Sequence, residues 1–98
     1  MFIVRDIFHL KFGHYKDAKA LLDEATQKNM LPDAKSLRAL SDFTGDSYRL
    51  IFETGYDTLG DFEKELTKDM GKAEWQDWYT KFKETIVSSH REILKMVV

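Results

Sequence analysis

The sequence contains no cysteine among its 98 residues, which excludes disulfide bonds, thiol catalysis and cysteine-ligated metals. Proline occurs once, at Pro32, and glycine five times, and no linker, internal repeat or low-complexity tract interrupts the chain. No window approaches 18 consecutive apolar residues, so no transmembrane helix is predicted. The N-terminal run MFIVRDIF carries Arg5 and Asp6, which argues against a signal peptide or membrane anchor.

The sequence also lacks a large excess of positive or negative charge. Lysine and arginine number 15 against 17 aspartates and glutamates, a net charge of −2, so nothing favours binding to nucleic acid or to an anionic membrane. Hydrophobic residues make up 43% and aromatics 13% of the chain, enough for the core of one domain spanning residues 1–98. We expect a soluble protein with a cytoplasmic location.

The first half of the chain shows two kinds of periodicity. Residues 2–12 alternate, with Phe8 and Phe12 in the more apolar set, and predict a strand that ends at Gly13. From His14 the apolar residues follow helical spacing, which predicts a helix ending before Pro32. Residues 36–44 and 48–54 alternate again on either side of a short Gly-Asp turn, which predicts a hairpin.

The second half predicts a divided helical region and a last strand. Thr58 and Asp61 resemble a capping box at a helix start, and Gly71 is a plausible helix stop. A second helix is predicted from Ala73 to Val87, and β-type residues follow it. The order β-α-β-β-α-β predicts an α+β, ferredoxin-like fold, a four-stranded antiparallel sheet with the helices on one face.

The stretch EWQDWYTKFKETI concentrates the large aromatic side chains. Trp75, Trp78, Tyr79, Phe82 and Ile86 fall at offsets of 0, 3, 4, 7 and 11 residues, one continuous helical face. Core packing explains most of this stripe, since a helix that covers a sheet needs one. Its beginning, at Trp75, is expected at the edge of a cleft or a subunit contact.

The less apolar set of strand positions predicts a mixed outer sheet face. Isoleucines and leucines alternate there with opposite charges, a composition that often marks an interface. A second copy related by a two-fold axis would cover it, so we predict a homodimer through the sheet face, with the participating residues Arg5, Ile7, Arg38, Leu40, Arg49 and Ile51. The alternation leaves two registers open for the last strand: Arg91, Ile93 and Lys95, or His90, Glu92, Leu94 and Met96, on that outer face.

The element order and three stretches of sequence resemble a known superfamily. The similarity lies in the first strand with KFGHYKDAKALLDE, in YRLIFETGYDTLGDFEKEL and in the closing strand. In these stretches the chain is similar to the dimeric α/β-barrel proteins, in particular the NIPSNAP-like and antibiotic-biosynthesis-monooxygenase types. The resemblance spans nearly the whole chain and implies a homodimeric barrel. Its members include cofactor-free monooxygenases and haem-degrading enzymes. The haem-degrading pattern is broken here, because strand one has Asp6 and no asparagine, and Trp78 pairs only with the distant His90.

The residues suited to chemistry are few. Asp6 interrupts the apolar set of the first strand and needs a partner or solvent, and His9 has a side chain that titrates near neutrality; both are weak catalytic candidates. Three histidines without metal-ligand spacing predict no metal site, and no cofactor is predicted. The candidates expected to line a cleft between sheet and helices are Asp6, His9, Tyr15, Trp75, Trp78 and Tyr79.

Three functions remain open from the sequence. The first is binding of a small apolar or aromatic ligand in that cleft, and the second is a cofactor-independent, monooxygenase-like enzyme. The third is a structural or interaction module whose helix–sheet space is filled. The sequence leaves open whether the protein is an enzyme.

Overall fold

The described part of the chain folds into four strands and three helices. In order, these are β1 (Phe2–Leu10), α1 (Tyr15–Gln27), β2 (Ser36–Ser41), β3 (Arg49–Tyr56), α2 (Leu59–Lys68), α3 (Ala73–Lys83) and β4 (Ile86–Lys95). The computed structural model describes residues 1–46, 48–68 and 72–98. The predicted ferredoxin-like arrangement is confirmed, with α2 and α3 forming the divided helical region; the stop predicted at Gly71 lies outside the described residues.

The four strands form one antiparallel sheet in the order β2-β3-β1-β4. Phe8 of β1 lies opposite Leu50 of β3 and Ser89 of β4 in the register. The helix-facing side of the sheet supplies Leu10 and Leu50 to a buried cluster with Ala18, Leu22 and Phe82 of the helices. The predicted alternation is therefore confirmed: Phe8, Leu50 and Phe52 face the helices, and Ile3, Ile51 and Leu40 face away from them.

Several predicted element ends differ from the observed ones. β1 ends at Leu10 and β2 at Ser41, so Phe12 and Phe43 leave the core set and are 90% and 100% exposed. α3 ends at Lys83 rather than Val87, because Ile86 pairs with Leu10 as the first residue of β4. The connection between β2 and β3 spans residues 42–48 instead of a short Gly-Asp turn.

The pairing of β4 with β1 settles the register that the alternation left open. Arg5 lies opposite Glu92, and Ile3 lies opposite Leu94. His90, Glu92 and Leu94 therefore share the outer face, and Arg91 turns toward the helices beside Asp6.

The outer face departs from the prediction in two respects. Ile7 is only 5% exposed, so the apolar surface is contributed by its neighbours, with Leu40 40% and Leu94 41% exposed. The charges already pair within the chain: Glu53 accepts hydrogen bonds from Arg5 and Arg38. Among the described residues, no helix is both long and apolar enough to cross a membrane.

Candidate functional site

A cavity of about 420 Å³ lies between the sheet and the helices. Small-molecule sites in proteins commonly measure about 300–1,000 Å³ and are lined mainly by apolar and aromatic groups. All three helices and all four strands contribute to its walls. The side chains that carry the argument below are Asp6, Tyr56, Phe62, Trp75, Trp78, Tyr79 and Arg91.

Stacked aromatic rings of α3 form one wall of this cleft. The rings of Trp75 and Tyr79 lie 4.9 Å apart at an angle of 8°, and those of Trp78 and Phe82 lie 5.0 Å apart at 11°. Phe8 of the sheet meets the Phe82 ring edge-on at 5.0 Å. Helical spacing of three and four residues brings these side chains onto one face, so the wall follows directly from the sequence of α3.

Trp78 and Trp75 have different roles in this wall. The indole Nε1 of Trp78 donates a hydrogen bond to the carbonyl oxygen of Leu21 at 2.7 Å, which anchors α3 to α1. The Trp78 donor is therefore already used within the fold. Trp75 is only half-buried and its ring stacks with Tyr79, which is itself exposed, so this pair offers an aromatic surface near solvent.

A salt bridge marks the opposite, polar side of the cleft. Arg91 Nε donates to Asp6 Oδ1 at 2.6 Å, and the Arg91 guanidinium lies 5.2 Å from the centre of the Phe62 ring. A carboxylate on the apolar side of a sheet needs such a partner, because leaving it unpaired away from water is costly. Arg91 is held by both the ion pair and the ring.

Tyr56 and Thr54 add neutral polar groups to the same region. Tyr56 is buried, packs against Phe62 with ring centres 5.5 Å apart, and has a side-chain hydrogen bond with Thr54. Burial raises the pKa of the Tyr56 phenol above its ordinary value, with the Thr54 hydrogen bond opposing the shift. The phenol is thus neutral at physiological pH. Glu65 lies nearby and accepts a hydrogen bond from the backbone N–H of Asp33 at 3.0 Å.

The structure brings together four of the six predicted cleft residues: Asp6, Trp75, Trp78 and Tyr79 all line the cavity. His9 is not among the residues that line the cavity: the register places it on the outer face opposite Arg49, with its ring stacked 6.2 Å from that of His90. Tyr15 is not among the lining residues either. Tyr15 begins α1, and the cavity is reached by Ala25, ten residues and roughly 15 Å farther along that helix.

Sequence reasoning missed Arg91, Tyr56 and Phe62. The signal for Tyr56 was present, since it shares the parity of Leu50 and Phe52 in β3. Phe62 follows the helical spacing of Leu59 and Leu66 in α2, a pattern that indicates packing as well as it indicates a site. Arg91 had no such signal, because its side depends on the register of β4 against β1.

Metal binding finds no support in the described parts of the chain. No group of three or more histidine, aspartate or glutamate side chains is placed there to hold an ion. The polar residues that line the cleft include the Asp6–Arg91 ion pair, Tyr56, Thr54 and Glu65, with Ser89 and His90 of β4, and such groups suit hydrogen bonding to an organic ligand.

No family model and no curated protein matches this chain, whereas solved structures do. A NIPSNAP family protein from Agrobacterium tumefaciens superposes with a TM-score of 0.85 at 21% identity, over 95% of this chain and 82% of that one. A NIPSNAP domain protein from Burkholderia xenovorans gives 0.85 at 11% identity, over 99% and 95%. An antibiotic biosynthesis monooxygenase gives 0.73 at 10% identity over the whole of both chains. The resemblance predicted from the sequence is confirmed as a likeness of fold.

Proposed function

We propose that the protein binds a small, flat, largely apolar ligand in the cleft between its sheet and helices. The observation that carries the proposal is the cavity of about 420 Å³, walled by stacked aromatic rings and floored by polar groups. An apolar pocket with a few convergent polar groups is the usual form of a small-molecule site. A purely structural module would have filled this space.

The polar groups favour a neutral aromatic ligand with hydroxyl or carbonyl groups. Asp6 already neutralises Arg91, so no unpaired cation awaits an anionic ligand there. Tyr56 remains a neutral phenol because burial raises its pKa. Flat rings would stack on Trp75 and Tyr79, since aromatic groups prefer offset or edge-on contacts at these distances.

The test places a larger side chain at the exposed rim of the cleft, so that it occupies the space proposed for the ligand. Leu66 lines the cavity and Leu59 does not, although both lie on α2 and are similarly exposed. We expect neutral two- and three-ring phenols, such as 2-naphthol and 1-hydroxyanthraquinone, to raise the melting temperature of the wild-type protein. Leu66→Trp is expected to weaken their binding at least tenfold, about 1.4 kcal/mol, by calorimetry, and the matched Leu59→Trp to leave it unchanged.

Two results would contradict ligand binding in the cleft: no melting shift with any of these phenols, or equal affinity in the two tryptophan variants. Oxygen consumption with a bound phenol separates binding from turnover. Asp6 is the one predicted catalytic candidate in the cleft, and Arg91 engages its carboxylate. We expect no uptake above background; uptake that stops in Asp6→Asn would identify an enzyme instead.

We also propose that a second copy of the chain covers the outer face of the sheet. Exposed Leu40 lies beside half-buried Ile51, and exposed Leu94 lies beside half-buried Ile3, on either side of the paired charges of this face; exposed apolar groups of this kind often mark an interface. Sedimentation equilibrium is expected to give twice the mass of one 11.5 kDa chain. A monomer mass at micromolar concentration would refute the dimer.

A further inference from the structure

The ion pair in the cleft uses only part of its hydrogen-bonding capacity within the chain. Arg91 Nε donates to Asp6 Oδ1 at 2.6 Å, a single contact between one nitrogen and one oxygen. An ionised carboxylate accepts hydrogen bonds at both oxygens, and a guanidinium carries five N–H donors. Asp6 Oδ2 and the Nη groups of Arg91 are therefore not engaged with each other.

The arginine–carboxylate pairs elsewhere in the strands are more fully bonded. Arg49 Nε lies 3.1 and 3.2 Å from the two carboxylate oxygens of Asp42, and Arg49 Nη2 lies 2.9 Å from Oδ1. Glu53 accepts from Arg38 at Oε1 and from Arg5 at Oε2, so both of its oxygens are used. None of these five residues lines the cavity. The single-bonded pair is thus the one that borders the proposed ligand site.

The strand register and an aromatic ring hold this pair in place at the cavity wall. Asp6 and Arg91 are directly opposite in the pairing of β1 with β4, and both line the cavity. The Arg91 guanidinium lies 5.2 Å from the centre of the Phe62 ring, which packs in turn against Tyr56. The side chains of Arg91 and Asp6 remain 40% and 26% exposed. A ligand can therefore reach both groups without separating them.

We infer that this pair recognises a lactam, a neutral edge on which an N–H donor lies beside a C=O acceptor, fused to an aromatic ring. The inference rests on the proposed function of the cleft and adds the chemical class of its ligand. The lactam N–H donates to Asp6 Oδ2, and the lactam carbonyl accepts from an Nη group of Arg91. Hydrogen bonds to charged groups are stronger than those between neutral groups, and paired bonds add geometric specificity.

Other ligand edges satisfy less of the pair. A quinone or an ether offers acceptors alone, which suit Arg91 and supply no donor to Asp6. An acceptor that a ligand shields from water without supplying a donor loses its hydrogen bond to solvent, which is unfavourable. A carboxylate ligand places a second negative charge beside Asp6. A lactam edge satisfies both side chains and adds no charge.

The rest of the cavity suits the ring that such an edge would carry. Phe52 lies directly opposite Asp6 in the pairing of β1 with β3, and Phe8 lies two residues farther along β1. Both rings line the cavity, as do Trp75 and Tyr79 on the helix side. A fused ring whose polar edge meets the ion pair is therefore surrounded by aromatic side chains, which favour offset or edge-on contacts.

Three quinolones that differ by one methyl group test the role of the N–H donor. 2-Quinolone has the lactam edge, N-methyl-2-quinolone lacks the donor, and 3-methyl-2-quinolone keeps the donor while adding a methyl group of the same size. We expect calorimetry on the wild-type protein to give similar affinities for the two compounds with a donor. N-methyl-2-quinolone is expected to bind about tenfold more weakly or worse, because it leaves Asp6 Oδ2 without a donor.

Asp6→Asn tests whether Asp6 causes this preference. The asparagine oxygen can still accept from Arg91, but its NH2 group presents a donor where the wild type presents an acceptor. We expect the preference for 2-quinolone over N-methyl-2-quinolone to disappear. The anion 2-naphthoate is expected to bind about tenfold tighter than to wild type, because Arg91 no longer faces a carboxylate. Asp42→Asn removes a carboxylate from an Arg–Asp pair outside the cavity lining and should keep the wild-type preference.

The outcomes separate the ligand class from the ligand site. If neither the quinolones nor 2-naphthol bind to the wild-type protein, the proposed function and this inference are both wrong. If 2-naphthol binds and the three quinolones bind equally, the cleft remains a ligand site and the lactam is wrong. A preference that persists in Asp6→Asn, or 2-quinolone binding that is unchanged in Leu66→Trp, likewise overturns recognition of a lactam by this pair.

Discussion

Two carboxylates in the strands, one on each face of the sheet, are placed opposite arginines by the strand register. Asp6 faces the helices and lies opposite Arg91, whereas Glu53 faces outward and lies opposite both Arg5 and Arg38. In each case the cation comes from the directly paired position on a neighbouring strand, where opposite charges stabilise a sheet. The charged residues that interrupt the apolar pattern are thereby neutralised across strands.

Glu53 makes the stability of the protein sensitive to acid. Burial works to raise the pKa of its carboxyl group, but the hydrogen bonds from Arg38 and Arg5 outweigh it, and the net pKa lies below the ordinary value of 4.5. A lowered pKa in the folded state means that the ionised group stabilises the fold above the pKa of the unfolded chain. This contribution is lost as the pH falls through the folded pKa.

Glu53→Gln is expected to lower the free energy of unfolding at pH 7 by about 1.5–3 kcal/mol, the range for hydrogen bonds to charged groups. The difference from wild type should shrink as the pH falls below about 4.5. Urea unfolding between pH 7 and pH 3 measures both. Glu63→Gln, at an exposed position of α2, is the control and should show little effect; a difference independent of pH would contradict the assignment.

At the scale of elements, local signals determine where α2 and α3 form. Thr58 Oγ1 accepts a hydrogen bond from the backbone N–H of Asp61 at 3.1 Å, which confirms the predicted cap at the start of α2. α3 bears the aromatic stripe, and its end is set by β4, whose pairing with β1 begins at Ile86. A strand thus displaced the last part of the predicted helix.

Thr58→Ala is expected to reduce the free energy of unfolding by about 1 kcal/mol, because the first turn of α2 loses its side-chain acceptor. Chemical denaturation measures this change. Thr67→Ala is the matched control: its hydroxyl donates only to carbonyl groups of the same helix, and alanine favours the helix interior. Equal losses in the two variants would show that Thr58 has no capping role.

At the scale of the whole molecule, the described helices lie on one side of the sheet and leave the other side uncovered. The two sides therefore differ: the inner side encloses the cleft, and the outer side carries the paired charges of Arg38, Glu53, Arg5 and Glu92. Arg91 and Glu92, adjacent in β4, belong to different sides. The two proposals can therefore be tested by variants that do not interfere with each other.

The melting temperature of a dimer depends on protein concentration by mass action. We expect it to rise on the order of 5 °C between about 1 and 100 µM chain for a protein of this size. Differential scanning calorimetry on the wild-type protein and on Arg38→Glu makes the comparison. The variant should melt lower at every concentration, and a wild-type melting temperature that is constant over this range would speak against association.

Much of the fold could be predicted because its signals are local. Period-two alternation marked β1, β2 and β3, helical spacing marked α1 and α2, and the aromatic face of α3 placed Trp75, Trp78 and Tyr79 together. The predicted end of α3 was wrong, because Ile86 pairs with Leu10 of β1 as part of β4 and does not continue the helix. Tyr15 lies outside the cavity because helical spacing says nothing about distance along a helix, and His9 lies outside it because its side chain belongs to the outer face of the sheet.

The sequence by itself determined the order of the elements and the two faces of each strand, because side-chain periodicity follows from the geometry of a single strand or helix. Only the tertiary structure decided which charges meet. Arg91 reaches Asp6 across 85 positions of sequence, and Glu53 lies between Arg5 and Arg38 only because β3 is a central strand. Pairing between distant segments sets those contacts, and with them the polar side of the cleft and the paired charges of the outer face.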